Sequence, residues 1–199
     1  MTNYPCAAQL GQGLSIIDVP DCPIRFLILT CPTDNTLPLY LSAFKELKVT
    51  DVVRCCDPTY STEQLEDLQI KVLDIPFKDG SVPSKSVVHD WLQLFQSRQL
   101  AALPVSANSE QRPTIAVHCV AGLGRAPVLV AIALIEMGMQ PLDAIEFIRQ
   151  YRRGTFNRPQ IAYLDGYKRT RKRTANSSES SLSYSLKRMF SFGKELSSH

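Results

Sequence analysis

Eleven consecutive residues, Val117-His118-Cys119-Val120-Ala121-Gly122-Leu123-Gly124-Arg125-Ala126-Pro127, set a cysteine six positions before an arginine across a loop with two glycines. An apolar run, Thr114–His118, precedes this loop and a second, Ala126–Ile135, follows it. The pattern predicts a strand, a tight loop and a helix N-terminus. Such a loop turns its backbone N–H groups inward, and Gly122 and Gly124 accept φ/ψ values that other residues resist. The result is an anion cradle formed by Val120, Ala121, Gly122, Leu123, Gly124 and Arg125. Cys119 at its base feels the N–H groups, the helix dipole and the Arg125 guanidinium, which all favour thiolate over thiol. Arg125 returns to the same side in the first helical turn and offers a fork to two oxygens of a tetrahedral anion. The chemistry implied is attack by Cys119 on phosphorus, with transition-state charge met by preorganised donors. Cys-x5-Arg spacing alone is weak. The preceding His118, the two glycines, the apolar flanks and Pro127 in the first helical turn together outweigh the alternative, a buried free cysteine in an ordinary turn.

The elements that must hold this loop follow from periodicity. Short β-type runs occur at Leu14–Val19, Ile24–Leu29, Asp51–Cys55, Ile70–Ile75 and Thr114–His118. Helix-compatible spacing occupies Leu37–Lys48 and Ser84–Leu100, and three later helices are expected at Arg125–Met137, Leu142–Arg152 and Pro159–Arg173. Strands alternating with helices predict an α/β domain with a central, mostly parallel sheet flanked by helices. Gly138 marks the stop of the first late helix and Pro141 opens the second. Ala101–Pro113, with two prolines and few periodic apolar positions, reads as a surface loop. The expected organisation is an N-terminal extension over 1–12, one catalytic-type domain over 13–173 and a disordered Ser-rich tail over 174–199. Nine serines among the last 25 residues make that tail too polar to pack. Leu182, Leu186, Met189 and Phe190 beside Lys187 and Arg188 could alternatively form a short amphipathic helix on a membrane surface.

At 199 residues, 44% hydrophobic and 21% charged, the chain has ordinary globular composition and can bury a core. Its longest apolar run, Ala126–Ile135, is half the roughly 20 residues that a membrane span needs. The first twenty residues hold no Lys or Arg, so no secretory signal is expected and the chain is assigned to the cytosol. Six cysteines, at 6, 22, 31, 55, 56 and 119, then read as thiols, and no Cys/His spacing suggests a metal. The isolated Cys6, Cys22 and Cys31 read as ordinary buried or surface thiols. Charge is uneven: Arg149–Arg173 holds nine basic residues against Asp165 alone, while the whole chain is only +3. That end, and Lys168–Arg173 in particular, would attract an anionic membrane surface or an acidic partner, unless it is simply a solvated helix end. Nothing points to nucleic acid.

Beyond the loop itself, His118 to Pro127, Leu73-Asp74-Ile75-Pro76-Phe77-Lys78-Asp79-Gly80, Phe147 to Gly154 and Asp51 to Tyr60 together resemble the phosphatases of regenerating liver. These are the type IVA branch of the dual-specificity protein tyrosine phosphatases. The resemblance runs from about Leu14 to Arg173. It implies a low-turnover enzyme with no cofactor, hydrolysing phosphotyrosine, or phosphoserine and phosphothreonine as well, through a phosphocysteine on Cys119. It makes Asp79 the general acid on a mobile loop, with Asp74 as the competing carboxyl. It makes Cys56 the redox partner of Cys119, although strand alternation lets only one of Cys55 and Cys56 face the pocket. It makes His118 and Ala126 supporting residues: Ala126 stands where a hydroxyl would otherwise help the sulfur leave. It also implies a second role, gripping cyclin-M magnesium transporters through the same pocket. A phosphoinositide substrate ranks last, since the loop offers Val120 and Leu123 where extra positive charge would be needed. No cysteine follows Cys119, so prenylation is not expected and membrane attachment would rest on the basic segment.

Overall fold

The computed structural model describes residues 4–19, 22–102 and 112–170. Its centre is a five-stranded sheet: β1 (Leu14–Ile17), β2 (Arg25–Leu29), β3 (Val49–Arg54), β4 (Lys71–Asp74) and β5 (Thr114–His118). The spatial order is β1-β2-β5-β3-β4, with β1 antiparallel to β2 and every other pair parallel. The central β5 is buried at every position, as a strand covered on both faces must be. Its last residue, His118, is in register with Leu29 on one side and Arg54 on the other. Parallel strands deliver their C-terminal ends to one edge, and three of them therefore meet around Cys119.

The helices are α1 (Pro5–Gln9), α2 (Leu37–Glu46), α3 (Glu63–Glu66), α4 (Lys85–Ala102), α5 (Arg125–Glu136), α6 (Pro141–Tyr151) and α7 (Arg158–Asp165). On one face α4 to α7 build the larger core, where Trp91 and Phe95 pack against Phe26 and all twelve residues of α5 are buried. On the other, α1 to α3 cover Leu27, Leu29, Val52 and Ala116. The four parallel and antiparallel pairings bear out the layered α/β expectation. Among the described residues no helix is long and apolar enough to cross a membrane.

Several element ends differ from the sequence reading by a residue or two, and three differences bear on the packing. The helix read as Ser84–Leu100 continues to Ala102, taking the first residues of the expected loop; positions 103–111 lie outside the described residues. The last helix stops at Asp165, not Arg173, because Gly166 closes it and the chain is then tied down by Glu136. The Glu136 carboxylate accepts from Tyr167 Oη and from the backbone and hydroxyl of Thr170. Finally, α1 lies in the stretch read as an extension. It docks on α2 through Ala7, and the backbone N–H groups of Cys6 and Ala7 donate to the Glu46 carboxylate. The basic residues 171–173 and the tail 174–199, with its Leu182–Phe190 stretch, lie outside the described residues.

Candidate active site

The loop between β5 and α5 places Cys119 at its base, 2% exposed, and Arg125 as the first residue of the helix. Gly122 has φ +68°, and a Cβ there would collide with the Leu29 carbonyl and press on Arg152 Nη2. The turn is thus open to glycine alone on both conformational and steric grounds. Gly124, at the helix N-cap, lies under the side-chain amide of Gln160.

Arg125 is itself positioned by backbone. Its Nη1 donates to the carbonyls of Cys55 and Phe77, each at 3.0 Å. The edge left for an anion is Nε and Nη2. Nε lies 3.1 Å from Asp79 Oδ1, yet its N–H does not point at that oxygen and makes no hydrogen bond. A buried guanidinium donor without an acceptor is the arrangement an incoming oxyanion completes. The Asp79 side chain is 80% exposed and reaches Arg125 from the loop after β4.

Asp74, the competing carboxyl, is committed elsewhere. It forms a two-point pair with Arg54, Nε to Oδ1 and Nη2 to Oδ2 at 2.6 Å for the latter, while Arg54 Nη1 donates to the Tyr60 carbonyl. Of the two carboxyls, the one the geometry brings to the cradle is Asp79.

The loop carrying Asp79 is held by residues that the sequence reading passed over. Asn157 and Gln160 form a capping box at the start of α7. The same two side chains extend to the acid loop: Asn157 Nδ2 donates to the Gly80 carbonyl at 2.9 Å and Gln160 Nε2 to the Ser81 carbonyl at 3.0 Å. The Asn-x-x-Gln spacing was a legible cap signal. Its second use was not, because it depends on tertiary placement.

Arg152 is the other omission. Counted as part of a solvated basic run, it is in fact buried, and its guanidinium donates to the carbonyls of Ala121 (2.9 Å), Gly122 (2.7 Å) and Gln12 (3.0 Å), and to Ser15 Oγ (3.2 Å). By holding the loop carbonyls outward it leaves the N–H groups facing the cradle.

His118 is fully buried, with Nε2 2.7 Å from Tyr60 Oη and Nδ1 3.3 Å from the Cys119 carbonyl. Burial lowers its pKa to about 4, so the imidazole is neutral. The two neighbouring cysteines part company. Cys55 shares the buried cluster that contains Cys119, and burial with the nearby Cys119 pushes its thiol well up. Cys56 lies 3.8 Å from Cys31 and 4.0 Å from His118 Nδ1; burial and Cys31 push it up to about 12. Both remain within electrostatic reach of Cys119. Cys31, read from the sequence as an ordinary thiol, belongs to this cluster. Ala126 is fully buried against the loop.

Comparison with known proteins decides the family. The chain is 50% identical over 145 residues to human protein tyrosine phosphatase type IVA 3, covering 73% of this chain and 79% of that one. It is 48% identical over 145 residues to mouse type IVA 2, covering 73% and 82%. The chain belongs to the protein tyrosine phosphatase type IVA family. A protein tyrosine phosphatase structure from Leishmania major superposes with a TM-score of 0.69 at 40% identity, covering 78% of this chain and all but 1% of that one (99%). PTPMT1, at 19% identity and TM-score 0.56 over 70% of this chain and 87% of its own, shares the fold alone. No protein-family model matches.

Proposed function

We propose that this type IVA family member hydrolyses phosphotyrosine in proteins through a phosphocysteine on Cys119, with Arg125 as clamp and Asp79 as acid. The observation that carries this is the meeting of the Asp79 carboxyl with the unsatisfied Nε of Arg125, the residue that closes the loop Cys119 opens. In the first step the Cys119 sulfur forms a bond to phosphorus, the P–O bond to the leaving group breaks, and Asp79 delivers its proton to that oxygen. In the second, water attacks phosphorus, the S–P bond breaks, and Asp79 takes the proton from water. Neither step calls for a metal. Inorganic phosphate release from phosphotyrosine peptides by wild type and not by Cys119→Ser tests the reading. Parallel phosphoserine and phosphothreonine peptides test dual specificity.

Redox control by a Cys119–Cys56 disulfide is part of the same proposal, supported by the place of Cys56 just past the end of β3, beside β5, after which Cys119 follows. Peptide mapping after mild peroxide tests it. The observation that Arg125 already attracts a carboxylate favours a second use of the pocket, capture of an acidic side chain of a partner such as a cyclin-M transporter. Binding of the transporter's regulatory domain that survives Cys119→Ser but not Arg125→Ala tests that use. Peripheral attachment to anionic membranes in the cytoplasm through Lys168–Arg173 would be sensitive to salt.

A further inference from the structure

Three adjacent strands leave the sheet side by side, and each brings one soft or borderline ligand to the same level. Cys31 lies two residues beyond the end of β2, His118 closes β5, and Cys56 lies two residues beyond the end of β3. The chain pairing continues past the strands to fix this register: Cys31 N donates to the Val120 carbonyl at 2.9 Å and Cys55 N to the His118 carbonyl at 2.8 Å. The three donor atoms, two Sγ and an imidazole nitrogen, all lie within 4.8 Å of one another. Cys56 is shared with the disulfide proposed above, so a bound cation and that disulfide exclude each other.

We propose that Cys31, Cys56 and His118 form a binding site for a thiophilic divalent cation of the zinc class. Cysteine thiolate and imidazole are the ligands zinc favours, and three protein donors leave a fourth, tetrahedral position open. Zinc–sulfur bonds of about 2.3 Å at the tetrahedral angle set two sulfurs roughly 3.8 Å apart. The two sulfurs stand 3.8 Å apart here. His118 Nδ1 lies 4.0 Å from Cys56 and 3.3 Å from the Cys119 carbonyl, so to bind a cation it gives up the proton it donates there, and Tyr60 Oη, 2.7 Å from Nε2, accepts from the tautomer that results. Cys31 is only half-buried and provides the way in. Binding converts two thiols to thiolates and releases both protons to solvent.

A Cys31–Cys56 disulfide fits less well. A disulfide needs its sulfurs about 2.05 Å apart, so the two sulfurs, 3.8 Å apart, would have to close up, whereas a cation bridges them where they stand.

The test is a Co2+ titration of the full, reduced chain carrying Cys119→Ser, which removes the catalytic thiol as a ligand. The expected result is one equivalent of Co2+ with a thiolate-to-metal charge-transfer band and tetrahedral d–d intensity, displaced by Zn2+. Adding Cys31→Ser, at a half-buried position and with the fold checked by circular dichroism, should abolish the band. The proposal is overturned if no band forms in the Cys119→Ser chain, or if the band survives Cys31→Ser.

Discussion

Asp79 Oδ1 lies 3.1 Å from Nε of Arg125, so in the ligand-free protein the carboxyl group occupies the approach that a phosphate oxygen must take. The acid and the anion therefore compete for one guanidinium edge. Asp79→Asn removes the competing charge while keeping the shape. Oxyanion affinity, read by titration with tungstate, should rise in this variant. Hydrolysis of a substrate with a poor leaving group should fall by about 10²–10⁴-fold, the usual worth of a positioned acid. A variant that binds tungstate no better and hydrolyses normally would remove Asp79 from both roles.

Arg152 holds the outer side of the same loop through the carbonyls of Ala121 and Gly122. Arg152→Met keeps much of the packing and orphans those carbonyls. Each buried unsatisfied group costs about 1–3 kcal/mol, so denaturant unfolding should show a clear loss. A positioning role adds a second signature: in the fraction that stays folded, tungstate affinity should drop, with partial rescue in Arg152→Lys. Lost stability with unchanged oxyanion affinity would make Arg152 a brace of the fold alone.

Ala126, fully buried beside the loop, has no hydroxyl to donate to the departing Cys119 sulfur. Breakdown of the phosphocysteine should therefore limit turnover, giving a burst of product followed by a slow steady rate. In Ala126→Ser a hydrogen bond becomes available at that step. Stopped-flow traces should show the steady rate rising more than the burst rate. If there is no burst and the substitution changes neither rate, the slow step lies in the acid loop instead.

Much of this architecture could be read before any coordinates. Thr114–His118 and Arg125 onward were placed within a residue because a continuous apolar strand followed by glycines and an apolar helix has few alternatives. The short α3 escaped because four residues carry no periodicity, and α1 because its stability comes from docking on Glu46. Cys119 and Arg125 were legible as types at a spacing, and Asp79 through the family resemblance. Arg152 was not: its sequence neighbours are basic and polar, and only the fold reveals that its buried guanidinium is engaged by four acceptors. Cys31 escaped for a related reason. It lies 25 positions from Cys56, and only the strand order β2-β5-β3 makes them neighbours.

The covalent step on Cys119 is tested most directly by rapid quench with a phosphotyrosine peptide, followed by peptide mass spectrometry under acidic conditions that preserve the thiophosphate ester. Wild type should carry one phosphoryl group, on the peptide containing Cys119, within the time of the burst. Cys119→Ser should carry none and release no phosphate. Phosphate release by Cys119→Ser near the wild-type rate, or a phosphoryl group found only at another residue, would contradict Cys119 as the nucleophile.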